Sequence, residues 1–187
     1  MPRRTGVTYN RRMPPVSIAP LTPADVAEYR RVRLRALAEH PESFRSNAAE
    51  EAAKPLPWWN QRMAPREQSL ASFFGAWTES HQLVATAGLL FETRRTTRHT
   101  ASLVGMYVMP EYTGRGIGAG LLGACIGGAR ADPLIEIIYL TVTNTNAAAI
   151  RLYERHGFVA YGREPRSMRI GERTFDKLMM ALPIRPE

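Results

Sequence analysis

Apolar residues recur at helical spacing from Val26 through Tyr29, Val32, Leu34 and Leu37 to Ala38. That period predicts a helix, and Thr22 and Pro23 mark its start as N-cap and first helical residue. Ahead of it, residues 16–20 alternate in the manner of an edge strand, and a looser helical stretch over 48–63 is interrupted by Pro55 and Pro57. From residue 70 the period shortens to that of a strand. Residues 72–77 and 83–91 read as a hairpin around Thr78-Glu79-Ser80-His81, with a third strand over 100–109 after the charged turn 93–98. Further on, 117–131 reads as a helix despite its glycines, and 136–142 as a strand apolar at nearly every position. Residues 147–156 form a short predicted helix stopped by Gly157, and strands over 158–162 and 176–182 close the chain.

A strand that is apolar throughout is covered on both faces, so helices are expected on each side of the sheet. The predicted order is β-α-α-β-β-β-α-β-α-β-β. Its one strand–helix–strand crossover, from 100 to 142, makes those two strands parallel within a mixed sheet. The expected fold is α/β, a single domain over 16–187 with a central twisted mixed sheet of about seven strands flanked by about four helices.

Composition narrows the setting. A chain of 187 residues, 44% of them apolar, builds one core without covalent staples. Cys125 is the only cysteine, and among Leu121, Leu122 and Ile126 it reads as a small buried hydrophobe. No run approaches the roughly 18–20 apolar residues of a membrane span, and no apolar segment of the signal-peptide kind follows the first arginines. The expected location is cytoplasmic, without membrane contact. The net charge of +8 raises the question of nucleic acid. Arg3, Arg4, Arg11 and Arg12 lie in residues 1–15, which hold no acid and are expected to form a disordered basic tail; without them, 21 basic residues face 17 acidic ones. The remaining arginines are scattered, and a small anionic ligand accounts for them as well as DNA does, so no nucleic-acid partner is expected.

Chemistry concentrates in two segments. The first, Val108 to Ala119, joins a strand to a helix and carries Gly114, Gly116 and Gly118 with Arg115 between them. Glycines there allow positive φ and close approach of a ligand, while the free N–H groups and dipole of the helix start attract an anion such as a pyrophosphate. Gly118 to Gly123 also matches the dinucleotide pattern G-x-G-x-x-G. Those glycines fall within the predicted helix, however, and Glu136 begins a strand instead of ending one, which argues against that fold. The second segment, 144–158, closes a strand in Asn144, Thr145 and Asn146 as candidate N-caps. A short helix follows, then Gly157 as its αL stop, and Phe158 returns to the core.

Together the two segments resemble the GNAT N-acetyltransferase superfamily. The family's Arg/Gln-x-x-Gly-x-Gly/Ala loop is filled by Thr113, Gly114, Arg115, Gly116, Ile117 and Gly118, with threonine in place of the usual first residue. Its Asn-x-x-Ala-x-x-Leu-Tyr-x-x-x-Gly-Phe pattern is met by Asn146, Ala149, Leu152, Tyr153, Gly157 and Phe158. The resemblance implies a GNAT-like fold whose parallel strands splay near Val108 and Val142, with acetyl-CoA as acyl donor. It implies that the backbone at Met106 and Val108 pairs with the pantetheine arm. Thr113, Gly114, Arg115, Gly116, Ile117, Gly118 and Ala119 would hold the pyrophosphate, and Asn146 would touch the cofactor. Tyr153 would direct its hydroxyl at the coenzyme sulfur as general acid.

The implied activity is N-acetylation of a primary amine, on a small molecule or on a protein N-terminus or lysine. Transfer of a larger acyl group and a non-catalytic acyl-CoA sensor are the alternatives. His99, at the start of the third strand, is the candidate for relaying the amine proton through water, with Glu92, Glu111 and Asp176 as further candidates. The four histidines and Cys125 lack metal-ligand spacing, so no metal is expected. Tyr29, Phe44, Trp58 and Trp59 stand in the helical region that shapes the acceptor pocket in the family, where dimers are also frequent.

Overall fold

The computed structural model describes residues 15–64 and 69–186. Apart from Pro15, the basic tail expected over 1–15 lies outside the described residues. Seven strands form one sheet: β1 (Val16–Pro20), β2 (Ala71–Thr78), β3 (Leu83–Phe91), β4 (Thr100–Val108), β5 (Ile137–Thr143), β6 (Val159–Ile170) and β7 (Arg173–Pro183). Their order across the sheet is β1-β2-β3-β4-β5-β7-β6, and among the described residues only the β4–β5 pair is parallel. Five α-helices are described: α1 (Val26–Glu39), α2 (Ala48–Ala52), α3 (Leu56–Arg62), α4 (Ile117–Ala131) and α5 (Ala147–Arg155).

Phe73 and Phe74 show how the layers form. Adjacent strand residues point to opposite faces. The Phe73 ring lies 5.0 Å from that of Tyr29 on α1, whereas Phe74 reaches Gly128 of α4. Helices α1, α2 and α3 therefore cover one face and α4 the other. Gly118 of α4 packs close to Leu152 of α5 and Val108 of β4, which seats α5 beside α4. The core that results is continuous, with Tyr29, Trp59, Leu83, Leu121, Cys125 and Ile138 essentially closed to solvent. Cys125 is thus the buried hydrophobe expected, and burial pushes its thiol up to about 12.

Several boundaries differ from the sequence pattern for physical reasons. Thr22 caps a single turn of 3-10 helix, Pro23–Asp25, through a reciprocal arrangement with Asp25 before α1 begins. The helical stretch over 48–63 becomes two short helices because Pro55, held extended at φ −69° and ψ 157°, stands between them. The two closing strands are much longer than their apolar cores. They form a hairpin turning at Gly171, whose φ of +58° suits glycine.

Candidate functional site

Strands β4 and β5 pair only at Thr100↔Ile137, Ala101↔Ile138 and Ser102↔Tyr139. Beyond those positions they part. Leu103 to Val108 stay bonded to β3, and Leu140 to Thr143 stay bonded to β7. The splay therefore begins after Ser102 and Tyr139, ahead of Val108 and Val142. A bulge accounts for it: between Thr86↔Tyr107 and Gly88↔Val104 the register of β4 gains one residue at Gly105, whose φ is +65°. A bulge of this type bends its strand and deepens its twist, and the Thr86 hydroxyl donates to the Gly105 carbonyl at 3.1 Å.

The gap opens into a cleft of about 1350 Å³ that runs from the glycine turn to the helices of the opposite face. At one end Gly114 and Gly116 adopt φ of +75° and +76°, and Gly116 is the left-handed N-cap of α4. The first intrahelical bond is Gly120 N–H to the Gly116 carbonyl at 2.9 Å, which leaves the N–H groups of Ile117, Gly118 and Ala119 outside the helical ladder. A Cβ at Gly114 or Gly116 would meet nothing within 4 Å. The space above the turn is open, and any occupant reaches bare backbone. This donor set, with its helix dipole, fits a pyrophosphate. Gly118 differs from its two neighbours, for it is helical and serves packing against Leu152 at 3.4 Å.

Thr113, Gly114, Gly116, Ile117, Gly118, Ala119, Met106, Val108, Asn146 and Tyr153 all line this cleft. The Thr113 hydroxyl is taken up by the Pro110 carbonyl at 2.9 Å. Arg115 turns back along the loop: its guanidinium donates to the Glu111 carbonyl at 2.9 Å and lies over the Tyr112 ring. Its side chain is not part of the cleft lining, and the charge it brings acts from behind the turn. Asn146 caps α5, its side-chain oxygen accepting from Ala149 N–H at 3.1 Å. That bond fixes the start of the helix carrying Tyr153. Tyr153 is 6% exposed and stacks edge-on against Phe158. Burial, with a smaller contribution from Cys125, raises its phenol above the ordinary value. Its hydroxyl has no hydrogen-bond partner among the described residues.

His99 is not brought to this site. It stands at the closed end of the β4–β5 pair, where its carbonyl accepts from Glu136 N–H at 2.8 Å. Met106 lies seven residues further along the strand, roughly 20 Å away. The other carboxylates considered are engaged or remote. Glu111 meets Arg35 at 2.7 Å, Asp176 binds Arg163 and Arg166 N–H, and exposed Glu92 precedes the strand. Of the aromatic group, Tyr29 and Trp59 are core residues, whereas Phe44 lines the cleft.

Residues that sequence reasoning passed over complete the far wall. The Tyr107 hydroxyl donates to Glu39 at 2.5 Å, which lowers the Glu39 carboxyl, as does Arg35. Lys177, 1% exposed on β7, donates to the carbonyls of Glu42 and Ser43 at 3.2 and 3.1 Å and to the Thr143 hydroxyl at 2.8 Å. Burial first, and the nearby Arg45 charge second, bring its ammonium down to about 8. Its signal in the sequence was a lone lysine inside the apolar strand from Phe175 to Leu182. Among the described residues no group of three or more His, Cys, Asp or Glu side chains is placed to hold a metal ion, and no helix is long and apolar enough to cross a membrane.

A model of the Acetyltransferase (GNAT) family matches residues 33–158. Solved structures give the same fold. An acetyltransferase of the GNAT family from Streptococcus pneumoniae superposes with a TM-score of 0.74 at 23% identity, over 90% of this chain and 99% of its own. The putative acetyltransferase yncA from Salmonella typhimurium, solved with its cofactor acetyl-CoA, gives 0.74 at 21% over 92% and 96%. The ribosomal-protein-S18-alanine N-acetyltransferase of Escherichia coli gives 0.69 at 20% over 92% and 96%. At such identities the likeness is one of fold.

Proposed function

The chain belongs to the GNAT acetyltransferase family, and from that premise we propose that it moves the acetyl group of acetyl-CoA directly onto a primary amine of a small molecule or protein. Acetyl-CoA is the acyl donor. One observation carries the reading: the parted edges of β4 and β5, the free amides after Gly116 and the unpartnered Tyr153 hydroxyl meet in a single cleft.

In this reading the N–H groups of Ile117, Gly118 and Ala119 hold the pyrophosphate, and the β4 edge from Leu103 to Val108 offers peptide groups to the pantetheine arm as a neighbouring strand would. Asn146 fixes α5, and α5 fixes the Tyr153 hydroxyl. Acetyl-CoA supplies an activated acetyl thioester whose departing sulfur needs a proton or a strong hydrogen bond. A phenol near 10, raised further by burial, is a weaker acid than a thiol near 8.5. Complete transfer from Tyr153 to the thiolate therefore runs uphill. Tyr153 acts by donating a hydrogen bond as charge grows on sulfur, and the proton released by the attacking amine makes good the transfer. The same elevation keeps Tyr153 protonated across the neutral to mildly alkaline range in which an amine begins to be free to attack.

The test is thiol release from acetyl-CoA over a panel of amino acids, polyamines, aminoglycosides and peptides, comparing the parent with Tyr153→Phe. A loss in kcat of roughly 10²- to 10⁴-fold, with acetyl-CoA affinity retained, is expected. Equal turnover in both proteins would remove Tyr153 from the chemistry.

A further inference from the structure

Five arginine and lysine residues line the cleft, Arg33, Arg45, Arg62, Arg155 and Lys177. Two are matched by carboxylates, Arg33 by Glu51 at 2.8 Å and Arg45 by Glu164. Glu42 is the acidic residue of the lining, and His40 meets it at 3.4 Å. Arg62, Arg155 and Lys177 have no carboxylate within 4 Å among the described residues, and Arg155 turns back along α5 to the Arg151 carbonyl at 3.1 Å. Lys177 spends its three N–H groups on the neutral oxygens of Glu42, Ser43 and Thr143.

Arg62 is left differently. It is the last residue of α3, and its guanidinium sits 4.9 Å from the Trp58 ring, 5.1 Å from Phe73 and 6.0 Å from Tyr29. One N–H reaches the Tyr29 hydroxyl at 3.2 Å, and Nε is buried with no hydrogen-bond partner. Aromatic faces hold a guanidinium in place but do not use its N–H edge. Nε is enclosed and Nη2 is engaged by Tyr29, so the donor left for a carboxylate in the cleft is the other terminal nitrogen, Nη1, which makes no hydrogen bond among the described residues. A guanidinium whose charge is unmatched there favours a carboxylate partner. The substrate's own charge points the same way. An amine arrives as an ammonium, and a cleft with three cations lacking carboxylate partners repels it, the more strongly for being partly shielded from water. An acceptor that brings a negative group of its own is drawn in.

We propose that Arg62 receives a carboxylate of the acceptor, so that the substrate is a small amphoteric amine of the amino-acid class and not a polyamine or aminoglycoside. The identity of the carboxylate-bearing ligand as an amine rests on the transferase reading; the carboxylate site itself does not.

Two measurements separate them. Binding is read by isothermal titration of the CoA-loaded protein with N-acetyl-L-phenylalanine and N-acetyl-L-leucine, each against its neutral amide. The acids are expected to bind roughly 10- to 100-fold more tightly in the parent, as loss of a charge-assisted hydrogen bond implies. That preference collapses in Arg62→Met and returns in part in Arg62→Lys. Turnover is read on matched pairs: phenylalanine and phenethylamine, leucine and isopentylamine, histidine and histamine. The carboxylated member is expected to have the higher kcat/KM, with the difference lying mainly in KM. Acids and amides that bind the parent alike, or a preference that survives in a folded Arg62→Met protein, overturn the proposal. Because the parent alone decides the first comparison, a variant that fails to fold does not rescue it. Acid-selective binding without turnover on any amine would refute the transferase reading and leave the carboxylate site standing.

Discussion

Replacing Gly116 by alanine separates the turn's conformation from its contact with ligand. The residue holds φ at +76° as the N-cap of α4, a region where an L side chain costs about 1–2 kcal/mol. No atom lies within 4 Å of the new Cβ, so no steric penalty within the protein adds to that strain. For a domain of this size, 1–2 kcal/mol corresponds to a fall in Tm of about 2–8 °C. Cofactor affinity should suffer much more. The methyl group occupies the space through which a phosphate reaches the N–H groups of Ile117 and Gly118. Losing one charge-assisted hydrogen bond, worth about 1.5–3 kcal/mol, weakens binding roughly 10- to 150-fold. Gly118→Ala is the internal control. Its Cβ meets Leu152 at 3.4 Å, ordinary contact, and alanine gains about 1 kcal/mol of helix propensity over glycine. Calorimetric melts and acetyl-CoA titrations on both variants give the four numbers needed. A folded Gly116→Ala protein with parental acetyl-CoA affinity would refute the placement of the pyrophosphate at this turn.

Three further outcomes follow from the geometry. Glu51→Gln leaves the Arg33 charge buried without its carboxylate, held now at 2.8 and 3.0 Å, and should cost about 3–5 kcal/mol in a denaturant melt; a loss below about 1 kcal/mol would mean the pair is hydrated. Asn146→Ala removes the oxygen that caps α5 and should cost about 1 kcal/mol, lowering kcat through Tyr153; Asn146→Asp should restore stability, and a Tm unchanged in the alanine variant would contradict the cap. Lys177 releases its proton at about 8 when folded and near 10.5 when unfolded. Between those values the unfolded state binds more protons, so the cost of burying the ammonium, present in full below about 8, is relieved as pH rises. The Tm of the parent relative to Lys177→Met should therefore climb from pH 8 to 10, and a flat difference would show that Lys177 does not titrate there.

Where side-chain pattern and backbone agree, the elements were readable residue by residue. The runs over 83–91 and 117–131 coincide with β3 and α4, because both bury a face and their apolar period reports it. Only the start of β6, within the predicted strand 158–162, is legible in the sequence, because the rest of an edge strand has no second sheet neighbour to hide it. Arg163, Glu164, Arg166 and Arg169 place charge along most of its length, and Val159 and Tyr161 are exposed. The glycine turn was legible because its conformational demand is local, two residues at positive φ. His99 stands at the closed end of the β4–β5 pair, and a motif does not report that distance along the strand. A polar residue that opens the right strand still lies at its wrong end. Arg62 and Lys177 were missed for the opposite reason. Each is a single cation whose partners, Trp58 apart, are contributed by elements well separated from it in sequence, and only the folded arrangement shows which cations have carboxylates and which do not.

The parted strands explain why the two ends of the cleft should be tested separately. A peptide edge opened between β4 and β5 is costly only if it is buried dry, and a cleft of about 1350 Å³ keeps it wet. Hydrogen bonds from that edge to a pantetheine arm replace bonds to water and return only about 0.5–1.5 kcal/mol each. The amides after Gly116 answer to a doubly charged group, where each bond is stronger. On the proposed reading, cofactor affinity therefore comes mainly from the turn, and the β4 edge contributes mainly register: it sets which atom of the extended arm stands beside Tyr153. The bulge at Gly105 bends that edge. Changes at Gly116 should appear in Kd, and changes that straighten β4 at Gly105 should appear in kcat.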